Sequence, residues 1–337
     1  MQELKNQVLC GDCVEMLRAV ETPFADLVFA DPPFNIGYRY DQYDDRKKHR
    51  KYLAWTRAWI AQCVRVLKPH GSIYIAIGDE YAAHIKLILE DELGLTLRNW
   101  IIWHYTFGQQ TKNKFARAHT HILYFVKDAK HFVFNDEVVR VISDRQKKYR
   151  DRRANPAGKM PDDVWNEYPR VCGTFVERTG FPCQMPESLL ARIIRTSSQE
   201  GDWVLDPFCG SGTTAVVAHK LGRVYTTIDL SEAYAEAARE RIAESRGLAE
   251  IRKAEDWPEH ADAELKWLYS ENKIPVRHLC ANRLLLALFT EKPNGRLQRK
   301  RPYTIREVSD RLNSLGSRLS PLDKISSVPR EASALEE

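Results

Sequence analysis

The sequence predicts an α/β protein, and three features of its 337 residues carry that prediction. Short apolar runs alternate with amphipathic stretches through the first third of the chain. A turn with two glycines, Asp206-Pro-Phe-Cys-Gly-Ser-Gly-Thr-Thr214, joins an apolar run to a helical stretch. A carboxylate, Asp229, ends the apolar run that follows. Strand, glycine turn, helix, strand and terminal acid together open a doubly wound unit.

The elements follow in chain order. Strands are expected at Gln7–Cys10, Ala25–Ala30, Ser72–Ile77, Leu97–Tyr105 and Thr120–Lys127, each a short apolar run. The clearest helix spans Tyr52 to Leu67: Trp59, Ile60, Cys63, Val64 and Leu67 share one stripe, and Lys68-Pro69-His70-Gly71 is expected to end it. From 134 to 179 the periodicity decays. Arg145, Lys147, Lys148, Arg150, Arg152 and Arg153 crowd together there, before Trp165, Tyr168 and Phe175. A basic run alone is usually a solvated face, but basic charge interleaved with rings suits a nucleic-acid surface. Alternation then returns with a helix at Pro186–Ser197, a strand at Trp203–Asp206, a helix at Thr213–Leu221, a strand at Val224–Asp229 and a helix at Glu232–Ser245. Past Arg252 the chain reads as helical and basic, with Arg296, Arg299, Lys300 and Arg301 before Pro302 and an amphipathic stretch at Tyr303–Leu312. These shifts divide it into 1–133, an insertion at 134–180, a second α/β block at 181–250, a helical extension at 251–325 and a polar tail at 326–337.

Composition narrows the class. Hydrophobic residues make up 43% and charged residues 29%, ordinary for a soluble globular protein. The net charge of +5 is too small to prove a polyanionic partner, so the clusters matter more than the sum. No run approaches the roughly 20 apolar residues of a membrane span, and the start lacks the apolar core of a secretory signal. A cytoplasmic protein without membrane contact, with reduced cysteines, is expected. Cys10-Gly-Asp-Cys13 has the spacing of half a zinc site, but no second pair exists and His119-Thr-His121 is a weak substitute. Free thiols and no metal are the expectation.

Two motifs carry chemistry. Gly210 and Gly212 let the backbone turn sharply and approach a ligand. Asp206 at the strand end would repel a pyrophosphate but accept from an ammonium group, and Asp229 can accept from ribose hydroxyls. A tight strand–helix turn alone would explain the glycines, but not both carboxylates. The second motif is Asp31-Pro-Pro-Phe34, followed by Asn35, after the strand Ala25–Ala30. Paired prolines fix φ and remove two N–H donors, so the carbonyls are rigidly aimed. Asp31 and a proline carbonyl can accept both hydrogens of an NH₂ group on a planar ring that stacks on Phe34.

Asp31-Pro-Pro-Phe34 with Asp206-Pro-Phe-Cys-Gly-Ser-Gly-Thr-Thr214 resembles the bacterial DNA amino-methyltransferases, adenine-N6 and cytosine-N4. The order, catalytic motif before glycine motif, resembles their circularly permuted β class. Gly11-Asp12-Cys13 is similar to the motif that opens the chain in that class. Phe181-Pro-Cys-Gln184-Met-Pro-Glu is similar to the stretch before the cofactor strand, with Cys183 and Met185 where the family usually has threonine and lysine. The resemblance covers about residues 7 to 245. It implies a Rossmann-like, S-adenosylmethionine-dependent methyltransferase fold: a seven-stranded, mostly parallel sheet with one antiparallel strand and helices on both faces. It implies catalysis by Asp31, Pro32, Pro33 and Phe34. The cofactor, S-adenosylmethionine, would lie against Asp12, Phe181, Gln184, Asp206, Pro207, Phe208, Gly210, Gly212, Thr213 and Asp229. The stretch at about 128 to 180 would recognise the target. Arg46, Lys47 and Lys48, in the loop from Arg39 to Lys51, and Arg145, Lys147, Lys148 and Arg150 would hold phosphates.

The activity expected is methyl transfer to adenine N6 in double-stranded DNA, with the base flipped and the transfer direct and in line. Cytosine N4 is the alternative; Asp31 resembles the adenine-N6 enzymes, whereas serine at that place is common among the cytosine-N4 enzymes. An RNA or protein amine methyltransferase fits less well, because those resemble the unpermuted order. An inactive DNA-binding regulator would have lost Asp31, Phe34 or the glycines. Double-stranded DNA is the expected partner, a second copy of the chain and a restriction endonuclease being further candidates.

Overall fold

The computed structural model describes residues 2–109, 111–141, 143, 145, 149, 153, 155, 158–171, 177–181, 183–245, 259–272, 276–281, 283–297 and 303–315. The chain forms two units: Met1–Asn135 with Asp162–Arg252, and Asp136–Pro161 with Lys253–Glu337.

The first unit is built on one sheet. Its strands are β1 (Gln7–Cys10), β2 (Ala25–Ala30), β3 (Leu67–Ile77), β4 (Thr96–Gln109), β5 (Arg117–Val126), β6 (Val164–Trp165), β7 (Trp203–Asp206) and β8 (Val224–Asp229). They lie in the order β1-β8-β7-β2-β3-β5-β4-β6. β5 is antiparallel to β3 and β4, and the other pairings are parallel. The sheet is therefore mixed and has eight strands, not the expected seven. The eighth, β6, is a two-residue strand that pairs Val164 with Ile102 and Trp165 with Trp103 at the sheet edge. Two residues are too short a run for period-2 alternation to register.

The helices are α1 (Cys13–Arg18), α2 (His49–Val66), α3 (Asp79–Leu87), α5 (Glu187–Ser197), α6 (Thr213–Lys220) and α7 (Glu232–Glu244), with α4 (Asp136–Val139) in the second unit. The helix ends before Lys68-Pro69-His70-Gly71, as expected, at Val66, and that segment lies inside β3, which begins at Leu67 rather than Ser72. Ala25 pairs with Leu67 and Leu27 with Ser72, so two steps along β2 match five along β3. That bulge absorbs Pro69, which has no N–H for a ladder. All six residues of β2 are buried, as a central parallel strand covered on both faces requires. Alternate residues feed two cores. Val28, Ile73, Ile75 and Leu123 pack with Leu17, Trp59 and Ile85 from α1, α2 and α3. Leu27, Phe29, Tyr74 and Ile122 pack with Leu190, Val216 and Ala238 from α5, α6 and α7.

The second unit also holds α8 (Glu259–Asn272), α9 (Val276–Ala281), α10 (Arg283–Leu297) and α11 (Ile305–Leu315). Leu265, Tyr269, Phe289, Val308 and Leu312 form its core. Glu307 N donates to the Thr304 hydroxyl at 3.2 Å while Thr304 N donates to the Glu307 carboxylate at 2.7 Å, a capping box that starts α11. Arg299, Lys300 and Arg301 lie outside the described residues. Among the described residues no helix is long and apolar enough to cross a membrane.

Candidate active site

β2 and β7 are neighbours, with Leu27 beside Val204 and Val28 beside Leu205. Their carboxyl ends therefore deliver Asp31 and Asp206 to the same edge of the sheet. A cavity of about 520 Å³ opens there. Asp12, Asp31, Pro32, Pro33, Phe34, Phe181, Gln184, Asp206, Pro207, Phe208, Gly210, Thr213 and Asp229 all line it. Gly212 does not.

The glycine loop explains that exception. Both glycines are left-handed, with φ of 51° at Gly210 and 73° at Gly212. A Cβ on Gly212 would stand 2.7 Å from Ala238 Cβ, so this glycine lets α6 start tight against α7. A Cβ on Gly210 would stand 3.0 Å from the Phe181 ring, which is thereby brought onto the loop. Gly210 N donates to Asp229 Oδ2 at 2.8 Å, and Ser231 N to Asp229 Oδ1 at 2.9 Å. Asp229 thus fixes the loop and the start of α7 together.

Several neighbours are held equally firmly. Asp12 Oδ1 accepts from Val14 N at 2.8 Å and Glu15 N at 3.1 Å, capping α1. Gln184 accepts from Thr179 N at 3.0 Å and donates to Glu177 O at 2.6 Å, so its amide ties down the segment beside Phe181. Phe208 lies edge-on to Trp59, centroids 5.0 Å apart. The Thr213 hydroxyl meets Arg241 Nη1 at 2.9 Å.

The electrostatics of the cavity point one way. Burial pushes the Asp31 carboxyl well above its ordinary range, and the charge of Asp206 adds to the effect. Burial raises Asp206 to about 7, against hydrogen bonds from the Thr214 hydroxyl and Phe208 N. Burial raises Asp229 as well. Three acids in one cavity, Asp206 buried and Asp31 and Asp229 partly so, repel an anion and are relieved by a cation. A ligand with an ammonium and a sulfonium group fits that donor set; a pyrophosphate does not.

The Asp31–Phe34 tetrapeptide is anchored by residues most of which the sequence did not mark. The buried Tyr52 hydroxyl donates to Pro33 O at 2.7 Å. Asn35, with φ of 58°, accepts from Lys47 N at 2.7 Å and donates to Tyr81 Oη at 3.0 Å. The carboxylate of buried Asp45 accepts from Asn35 N at 2.7 Å, Ile36 N at 3.1 Å and Tyr38 N at 2.9 Å. Gly78, at the end of β3, has no Cβ to crowd Phe34 Cδ2, which would stand 3.3 Å away. Farther along the loop, Asp41 Oδ2 accepts from Ser231 Oγ at 2.6 Å. Asn35 is the one of these a sequence signal marks, since asparagine tolerates positive φ.

The wall opposite comes from Trp103, Tyr105, Arg117, His119 and Thr120 on β4 and β5, with Arg170 5.0 Å over the Tyr105 ring. Of Trp165, Tyr168 and Arg170 in the 134–180 segment, the two rings are packed. Arg192 covers both rings at 5.0 Å and 4.7 Å, and Trp165 is buried in the core. Of that trio only Arg170 reaches the cavity. Lys47 is engaged too: its Nζ sits 3.5 Å over the Tyr43 ring and donates to Asp44 O at 3.0 Å, and burial lowers its pKa. Arg46, Lys48 and Arg145 are exposed; Lys147, Lys148 and Arg150 lie outside the described residues.

Asp79, His119 and His121 place one ligand atom each within 4.8 Å of the others. Trp100 Nε1 donates to His121 Nδ1 at 2.9 Å, so the ring proton sits on Nε2, facing Asp79 Oδ1 at 3.3 Å. Arg117 Nε pairs with the same carboxylate at 3.1 Å. A metal at Nε2 would have to displace that proton and break the Trp100 bond, so the cluster reads as a hydrogen-bonded support for β5. Cys10 and Cys13 are free thiols, Cys10 exposed and Cys13 buried.

Comparison with known proteins agrees with this geometry. Residues 25–240 match a family model described as DNA methylase, of the N6/N4 type. The chain is 40% identical over 239 residues to Type II methyltransferase M.HpaI of Haemophilus parainfluenzae, across 71% of this chain and 74% of that protein. It is 37% identical over 243 residues to DNA adenine methyltransferase YhdJ of Escherichia coli K12, across 70% of this chain and 82% of that protein. Among solved structures, the cytosine-N4-specific PvuII DNA methyltransferase superposes with a TM-score of 0.56 at 19% identity, over 74% of this chain and 90% of its own. A putative DNA modification methylase of Thermus thermophilus, complexed with S-adenosyl-L-methionine, gives 0.51 at 23%, over 71% and 93%. At such identities the two structures share the fold.

Proposed function

The chain belongs to the N6/N4 DNA methylase family, and from that premise we propose that it methylates adenine N6 in double-stranded DNA, with S-adenosylmethionine as donor. One observation carries the proposal: Asp31 and Asp206, from opposite halves of the chain, line one cavity at adjacent strand ends. The catalytic motif precedes the glycine motif in the sequence, which supports the permuted β class.

S-adenosylmethionine, when bound, supplies an electrophilic methyl group. The chain's own residues do the rest. Asp206 accepts from the ammonium group. Asp229 has lone pairs left for ribose hydroxyls beyond those facing Gly210 N and Ser231 N. Phe34 stacks on the flipped base. With Pro33 O taken by Tyr52, Pro32 O and Asp31 are the acceptors for the amino hydrogens. A carboxyl held above its usual range is a better proton acceptor, so Asp31 both orients the amino group and can take its proton. Only the ionised form of Asp31 can accept, and a cation at Asp206 removes the repulsion that favours the protonated form, so donor binding favours the ionised acceptor. Arg46, Lys48 and Arg145 contact phosphates, the 134–180 segment reads the target sequence, and double-stranded DNA is the partner, a restriction endonuclease being a further candidate.

Methylation-sensitive long-read sequencing of DNA from a methylation-free host expressing the chain tests this. N6-methyladenine in a fixed sequence context is expected, and its absence with Asp31→Ala. N4-methylcytosine instead would overturn the base, and unmodified DNA the activity.

A further inference from the structure

The hairpin of β4 and β5 carries a feature the proposed reaction has not used. Its strands close at the Gln109–Arg117 pair, and Tyr105 and Arg117 line the cavity. The tip beyond them therefore stands beside the cavity mouth. There Phe115 is 99% exposed, the highest value among the large apolar side chains described. Lys112 and Lys114 are exposed on the same tip, and the Thr111 hydroxyl donates to Lys114 O, which closes the turn and fixes its shape. Arg117, at the base of the hairpin, is neutralised by Asp79 and Glu80, so the tip's own cations are its two lysines.

We propose that Phe115 is a wedge that enters the DNA stack at the gap left by the flipped base, with Lys112 and Lys114 on the flanking phosphates. The proposal rests on the reading of the cavity as a base-flipping methylase site. A scattered exposed apolar residue needs no explanation by itself. Here a whole ring stands in water on a tip that also carries two exposed lysines, beside a cavity read as the site of a planar base. A duplex offers both what the ring lacks, a π-face to stack on, and what the lysines lack, anionic partners. The rings of Trp165 and Tyr168, in the 134–180 segment, are covered by Arg192 and do not offer a free face for this role.

The test uses the full chain and duplexes carrying its methylated sequence, once sequencing has found it. Flipping costs less when the target base is already mispaired. Phe115→Ala should therefore slow single-turnover methylation of the matched duplex by about ten- to a hundredfold and restore most of the rate when the target is mispaired. Phe115→Trp should stay near wild type. With 2-aminopurine at the target, Phe115→Ala should lose most of the fluorescence rise on binding. Lys112→Ala with Lys114→Ala should lower the slope of log affinity against log salt by about two. A wild-type rate for Phe115→Ala on matched DNA, or an equal loss on matched and mispaired duplexes, would overturn the wedge. If the wild type methylates no DNA at all, the functional reading fails instead.

Discussion

Asp206 is where a single side chain's environment becomes a measurable property. Burial holds its carboxyl near 7, above the roughly 3.9 of an unfolded chain, so the folded protein binds the extra proton. In the ligand-free protein the contribution of Asp206 to stability is therefore fully present below about pH 4 and is lost as pH rises through about 7. A cationic ligand responds in the opposite sense, because it needs the ionised form. S-adenosylmethionine should bind more tightly as pH rises towards about 7, by up to about tenfold per unit, and should release a proton on binding below that point. Calorimetry in buffers of different ionisation heat measures both, and Asp206→Asn should bind weakly and lose most of that pH dependence. A flat profile in the wild type would remove Asp206 from the ammonium site. Asp206 and Asp31 were legible in the sequence because the chemistry dictates their type and their place after a strand. Asp45, Tyr52 and Gly78 were not. Asp45 sits in a run of charges that reads as solvated, Tyr52 in an ordinary helical stripe, and Gly78 matters only because Phe34 comes close to it.

At the scale of elements, the two glycines of one loop do different work. Gly212 is needed by the contact between α6 and α7, and Gly210 by the ring of Phe181. Gly212→Ala adds a Cβ in a left-handed conformation against Ala238, and should cost about 2–4 kcal/mol of stability. Urea denaturation reads that loss, while affinity for S-adenosylmethionine in the folded fraction should stay near wild type, since Gly212 does not line the cavity. Gly210→Ala should do the reverse, weakening affinity more than stability as Phe181 is pushed aside. Equal effects of both changes on affinity would mean that the turn acts as a unit. The pattern of strands and helices around this loop was readable because short apolar runs and the glycine turn are local signals. The β3 bulge and β6 were not: a proline-containing bulge looks like a turn, and a two-residue strand exists only because β4 is beside it.

Across the whole first unit, the two edges of the sheet separate stability from chemistry. The carboxyl ends of β2 and β7 hold Asp31 and Asp206, while near their amino ends a single buried acid, Asp26, joins three strands. Asp26 accepts from Lys68 Nζ at 2.8 Å, lies 2.9 Å from His70 Nε2 and accepts from Trp203 N at 2.8 Å, the last two contacts reaching the β3 bulge and the start of β7. The Lys68–Gly71 bulge thus has a purpose that its turn-like sequence hides: it carries a lysine and a histidine back to the seam where the catalytic and cofactor halves meet. Asp26→Ala would leave Trp203 N–H buried without its acceptor and the Lys68 charge without its partner. Because Lys68 and His70 are partly exposed, the loss should be about 2–3 kcal/mol rather than the larger cost of a fully buried pair. The cavity lies at the opposite ends of the same strands, so methylation by the folded fraction at low temperature should keep the wild-type rate and cofactor affinity. Thermal unfolding together with methylation kinetics below the transition separates the two quantities. A variant that keeps its melting temperature but loses turnover would show that the seam transmits to the active site, and that the division of labour between the sheet's edges does not hold.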